Sequence, residues 1–147
     1  MKIKNVTVRD AREQQASGYT YVDVRSVPEF EMGHPAGAVN VPLLHQDERT
    51  GMVTPNREFL RVIQANFTLD AKLLLGCQVG SRSAQAAQML SASGYLDVSN
   101  VIGGFGGGRD PMTGAFVEGW VQAGLPIDAG SDGSYEQLRS NASKGDR

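Results

Sequence analysis

With 147 residues, 40% of them apolar and 20% charged, the chain suits one folded domain with a core of ordinary size. A net charge of −2 provides no cationic field for a nucleic-acid backbone, and no apolar run is long enough to cross a bilayer. The single cysteine, Cys77, excludes an internal disulfide framework and any mechanism that needs a resolving cysteine in the same chain.

Met1–Asn5 carries Lys2 and Lys4 without an apolar region behind them, which does not read as a secretory signal, so a cytoplasmic setting is expected. The chain then alternates short apolar runs with amphipathic stretches, the pattern of an α/β domain. A first strand is predicted near Asn5–Val8, a polar helix over Arg9–Ala16 and a buried strand over Tyr19–Val24. Ser26, Pro28 and Glu29 read as a helix start with a capping box, and Gly33 as its end. Ala38–Val41 is a further core strand closed by Pro42. Thr54-Pro55 is expected to open a helix that runs to Phe67.

Lys72–Leu75 is the continuous apolar run of a central parallel strand, and it leads directly into Gly76-Cys77-Gln78-Val79-Gly80-Ser81-Arg82. Ser83–Leu90 has high helix propensity and Gly94 stops it. Val98–Ile102 is the last predicted strand, with a final helix over Phe116–Ala123 whose Trp120 belongs to the core. Residues 128–147 are rich in Ser, Gly, Asp and Asn and read as a disordered tail. The run Gly103–Gly108 lacks the G-x-G-x-x-G spacing of a dinucleotide site.

A strand, a tight loop opening with cysteine and a helix N-terminus together stabilise a sulfur anion. Loop amides from Gln78 to Arg82 can converge on the sulfur, the helix adds its positive end, and Arg82 adds a charge at the rim. A structural core cysteine would sit within Leu73–Leu75, whereas Cys77 lies just beyond it. Asp23 and Arg25 follow a central strand and read as a strand-end ion pair, with Glu29 as partner of Arg25. His34 reads as an anchor for its own turn and His45 as a loop residue. Two isolated histidines and one cysteine do not form a zinc site.

Cys77-Gln78-Val79-Gly80-Ser81-Arg82-Ser83 resembles the C-x-x-G-x-R-S loop of the rhodanese family. Val22–Pro42, with Asp23-Val24-Arg25, Glu29-Phe30 and Gly33-His34-Pro35-Ala36-Gly37-Ala38, is similar to the family's upstream signature. Val101-Ile102-Gly103-Gly104 and Trp120…Gly124-Leu125-Pro126 are similar to its ending. The likeness spans about residues 5–127, so it implies one rhodanese-like domain over 1–127. That domain would be doubly wound α/β, a central, mainly parallel sheet flanked by helices.

The resemblance further implies a sulfurtransferase that needs neither metal nor organic cofactor. Cys77 would take sulfane sulfur from a small thiosulfate-like donor and pass it to cyanide or a thiol. Arg82 would share the catalytic role, with Gln78, Val79, Gly80, Ser81 and Ser83 binding substrate. A persulfide carrier or interaction module serving a protein partner is the alternative. A phosphatase or arsenate reductase is disfavoured, because such relatives use C-x5-R whereas Cys77 and Arg82 are spaced C-x4-R, and Gly76 stands where the phosphatases carry His. Gly106–Gly114 is longer than in typical members. It reads as a surface insertion, or as a loop over the Cys77 mouth that brings Arg109 to an anionic donor.

Overall fold

The computed structural model describes residues 3–145. In chain order its elements are β1 (Lys4–Val6), α1 (Val8–Ala16), β2 (Thr20–Asp23), α2 (Val27–Met32), β3 (His34–Pro35), β4 (Val39–Asn40), β5 (Leu44–Gln46), β6 (Val53–Pro55) and α3 (Phe59–Asn66). There follow β7 (Lys72–Gly76), α4 (Ser81–Ala92), β8 (Asp97–Val101), β9 (Gly108–Arg109), β10 (Phe116–Val117), β11 (Ile127–Asp128) and α5 (Tyr135–Gly145).

Five strands form one sheet in the order β1-β8-β7-β2-β4, and every neighbouring pair is parallel. Alternation along β7 divides the core. Leu73 and Leu75 face α3, α4 and α5 with Phe59, Ile63, Leu90 and Leu138, while Leu74 faces α1 and α2 with Val8, Phe30 and Trp120. The sheet is therefore covered on both faces, the doubly wound α/β arrangement expected from the sequence. Ligands of such folds gather beyond the carboxyl ends of the strands, and β7 ends there at Gly76.

Three local expectations change. The helix expected to open at Thr54-Pro55 begins only at Phe59, because Val53–Pro55 pairs with Leu44–Gln46 as an antiparallel hairpin. Asn56 then fixes the turn by donating from its side chain to Pro42 O. No helix covers Phe116–Ala123. Phe116 and Val117 pair with Arg109 and Gly108, and the amides of Trp120 and Val121 donate to Gly104 O and Phe105 O, outside any helical ladder. Trp120 is nonetheless fully buried, with its indole N–H on Pro126 O and its ring edge-to-face with Tyr21.

The third change concerns the stretch expected to be a disordered tail. Ile127–Asp128 pairs with His34–Pro35, and α5 lies on α3 with Tyr135, Leu138 and Ala142 buried on one face. Ser134 and Tyr135 follow Gly133, and a stripe at i, i+3 and i+7 supplies the apolar area that a polar composition concealed. Only Asp146 and Arg147 of that stretch, like Met1 and Lys2 of the N-terminal reading, lie outside the described residues. Leu138→Ala should lower the unfolding free energy by about 2–4 kcal/mol, the usual cost of emptying a buried leucine site. Urea titration checks this, and a midpoint equal to wild type would remove α5 from the cooperative core.

Candidate active site

Gly76 ends β7 where any larger residue is excluded: a Cβ there would fall 1.9 Å from the Tyr21 hydroxyl. Tyr21 is itself fixed, buried against Trp120. The next residue, Cys77, is 1% exposed, and its Sγ accepts backbone N–H groups from Gly80 at 3.0 Å and Ser83 at 3.4 Å. The Ser83 Oγ lies 3.3 Å from the same sulfur. Gly80 takes φ +103° immediately before α4, a left-handed conformation that glycine adopts readily.

The loop holds this curl because its carbonyls point the other way. Cys77 O accepts from Phe105 N at 2.8 Å and Gln78 O from Gly106 N at 3.0 Å. The glycine run Gly103–Gly108 makes this close approach possible: a Cβ on Gly104 would sit 2.5 Å from Cys77 O, and one on Gly108 2.4 Å from Val79 O. The run that fails as a dinucleotide motif is the bed of the cysteine loop.

The other site residues divide. Gly80 and Ser83 reach the sulfur. Arg82 turns to Glu29, forming two N–H···O bonds of 2.9 and 3.1 Å. Burial raises the Glu29 carboxyl, but bonds from Arg82 and Ser26 outweigh it and hold the group at about 2. The Glu29 bond raises the Arg82 guanidinium, and attraction to Cys77 adds to the effect. Gln78 accepts from Arg25 at 3.4 Å. Val79 and Ser81 are exposed and line a cavity of about 1010 Å³ with Gly80, Asn100, Arg109 and Phe116.

Arg25 is in a strand-end ion pair, but its partner is Asp23, at 2.7 Å, and not Glu29. It also donates to Gly33 O and lies over the Phe105 ring, so this buried pair joins β2 to the glycine bed. His34 is buried, stacks on Phe30 and bonds Phe30 O, the turn anchor expected of it. The Gly106–Gly114 insertion supplies β9 and the turn of a hairpin that β10 closes, with Asp110 accepting from Met112 N and Thr113 N at its tip.

A rhodanese-like domain model matches residues 7–109, most of the chain. The chain belongs to the rhodanese-like family. This rhodanese-like protein is 32% identical to thiosulfate sulfurtransferase 16, chloroplastic, of Arabidopsis thaliana, over 85% of this chain and 92% of that one. It is 30% identical to thiosulfate sulfurtransferase GlpE of Haemophilus influenzae, over 87% and 97% of the two chains. Two plant relatives, senescence-associated protein DIN1 of Raphanus sativus and rhodanese-like domain-containing protein 15, chloroplastic, of A. thaliana, are 39% and 38% identical. The matched segments make up only 54% and 60% of their lengths. The crystal structure of Rv0390 from M. tuberculosis superposes with a TM-score of 0.70 at 26% identity, over 88% of this chain and all of that one.

Two residues near the sulfur escaped the sequence reading. Asn100 accepts from the Ser83 hydroxyl at 2.6 Å, and Glu29 holds Arg82. A carboxamide at the carboxyl end of a strand that is otherwise buried, Val98-Ser99-Asn100-Val101, was the available signal for Asn100. Glu29 was already assigned to the helix cap, which it does satisfy through Ser26 N and Oγ.

Proposed function

We propose that this protein is a sulfurtransferase that carries sulfane sulfur as a persulfide on Cys77. The observation that carries the reading is the convergence of the Gly80 and Ser83 amides on a cysteine sulfur at the end of a central strand. Fixed donors of this kind favour negative charge at the position they surround. With thiosulfate, the Cys77 thiolate attacks the outer sulfur, the donor's S–S bond breaks, and sulfite departs with the electron pair. Cyanide or a thiolate then attacks the outer sulfur of the persulfide. Its S–S bond breaks with the pair returning to Cys77 Sγ, and thiocyanate or a new persulfide leaves.

Gly80 and Ser83 supply the hydrogen bonds to sulfur in this reading. Arg82 adds long-range attraction and, through Glu29, the position of the loop. Val79, Ser81 and Gln78 shape the approach, and Arg109, the charged residue among the described residues that line the adjoining cavity, suits an anionic donor. The unpaired cysteine fits a reducing, cytoplasmic compartment, and no helix of the described residues is long and apolar enough to cross a membrane.

Intact mass spectrometry before and after thiosulfate tests the proposal. The reduced protein should gain one sulfur, about 32 Da, lose it to cyanide, and gain none as Cys77→Ser. No adduct from thiosulfate, but an adduct from a persulfidated protein donor, would replace the small-molecule enzyme by a persulfide carrier. No adduct from either would end the sulfur-transfer reading.

A further inference from the structure

The Ser83 hydroxyl has one proton and three neighbours that can accept it. Asn100 Oδ1 lies at 2.6 Å, Gly80 O at 3.2 Å and Cys77 Sγ at 3.3 Å. All the side chains concerned are buried: Ser83 is 0% exposed, Cys77 1% and Asn100 5%. At these low exposures the shortest contact, to Asn100, takes the proton. Ser83 therefore turns a lone pair toward the sulfur, which is left with the Gly80 and Ser83 amides as its donors. The other end of the Asn100 carboxamide lies 3.5 Å from Asn5 Oδ1 on β1, an acceptor for its N–H that is consistent with the oxygen facing Ser83.

From this we infer that Asn100 is a positioning residue that restrains Cys77 by holding the Ser83 hydroxyl proton away from its sulfur. Negative charge on Cys77 Sγ is then solvated by two N–H groups where a third donor stands within reach. The same restraint makes Cys77 a poorer leaving group when an acceptor attacks the outer sulfur of a persulfide, so that intermediate persists longer before discharge. This last consequence rests on the sulfurtransferase reading; the effect on the free cysteine does not.

The titratable and charged groups around the cysteine loop are Tyr21 and Asp23 of β2, Arg25 beyond its end, Glu29 of α2 and Arg82 of α4. Among them Tyr21 and Arg82 feel the charge on Cys77 directly. Replacing Asn100 leaves all five in place. The observable is thus the hydroxyl itself, provided the variant is neutral.

The test is the rate of iodoacetamide alkylation of Cys77 between pH 6 and pH 10, which needs no sulfur donor. Asn100→Leu removes the acceptor at similar volume, and Asn100→Ala is the second variant should the first fold poorly; thermal unfolding checks both. Freed of Asn100, Ser83 can donate to the sulfur, and alkylation at pH 7 should rise about fivefold, on the scale of one hydrogen bond, converging with wild type near pH 10. In a Ser83→Ala background the same substitution should change the rate less than about twofold, a coupling that independent sites do not show. Slower or unchanged alkylation would overturn the inference, slower being the result if Asn100 donates to Ser83. A gain that persists without Ser83, or persists at pH 10, would also overturn it and assign Asn100 to packing and access.

Discussion

Gly80→Ala should lower kcat/KM for sulfur transfer by about 10²–10³-fold, the usual effect of losing one preorganised donor at a developing charge. Two observations at one residue make the effect large. The Gly80 N–H is the shorter of the two backbone bonds to Cys77 Sγ, at 3.0 Å. Its φ of +103° disfavours any side chain, and a Cβ would fall 2.8 Å from the backbone oxygen of Ile102, which cannot swing aside as a flexible side chain would. The peptide must therefore rotate, and the amide leaves the sulfur with it. Stability should fall by only about 1–3 kcal/mol, so the variant remains folded for assay. Gln85→Ala, further along α4, is the control. Its side chain is exposed and does not line the cavity, and its activity should stay within about threefold of wild type. Equal rates for wild type and a folded Gly80→Ala would show that this N–H does not act on the reacting sulfur.

The same geometry explains what could be read from sequence. Core strands announce themselves by composition: Leu73–Leu75 is apolar throughout because both faces of β7 are covered, and the loop after it follows from Gly76, Gly80 and Arg82. The cysteine's place at the end of a central strand was legible for that reason. Elements whose bonding partners are distant in sequence were not. Residues 116–123 carry Phe116 and Trp120 at helical spacing, yet Gly119 packs so closely on Gly107 that the chain's amides bond to the glycine run instead. Likewise α5 is polar on average, and only the Tyr135, Leu138, Ala142 stripe, meaningful once α3 offers its face, marks it as a packed helix. Within the site, Arg82 was read as a charge at the rim of the sulfur's loop because its spacing from Cys77 allows it. The preference for Glu29 depends on α2 standing across the loop, which no local pattern encodes.

That brace gives the second large effect. Arg82 and Glu29 form a two-bond, side-by-side ion pair that ties the start of α4 to the start of α2, where Glu29 also accepts from Ser26 N and Oγ. Arg82→Ala removes the tie and leaves a partly buried carboxylate short of donors. The α4 N-terminus carries both amides that hold the sulfur, so a displacement of about 1 Å there should reduce kcat/KM by about 10–100-fold. Glu29→Gln keeps the fold and one bond, and should cost about 1–2 kcal/mol at pH 7. The figure is modest because each side chain keeps about a quarter to a third of its surface in water, 26% and 30%. Its pH dependence is more telling. Glu29 lies at about 2 in the folded protein, against an ordinary 4.5, so its contribution is complete above the ordinary value and fades as pH falls toward 2. The stability gap between wild type and Glu29→Gln, measured by urea unfolding, should be constant from pH 8 to pH 5 and narrow between pH 4 and pH 2. A gap that narrows already near pH 6 would mean that the carboxylate is not held by Arg82. With the brace intact above pH 5, a loss of sulfur transfer between pH 5 and pH 7 does not come from protonation of Glu29.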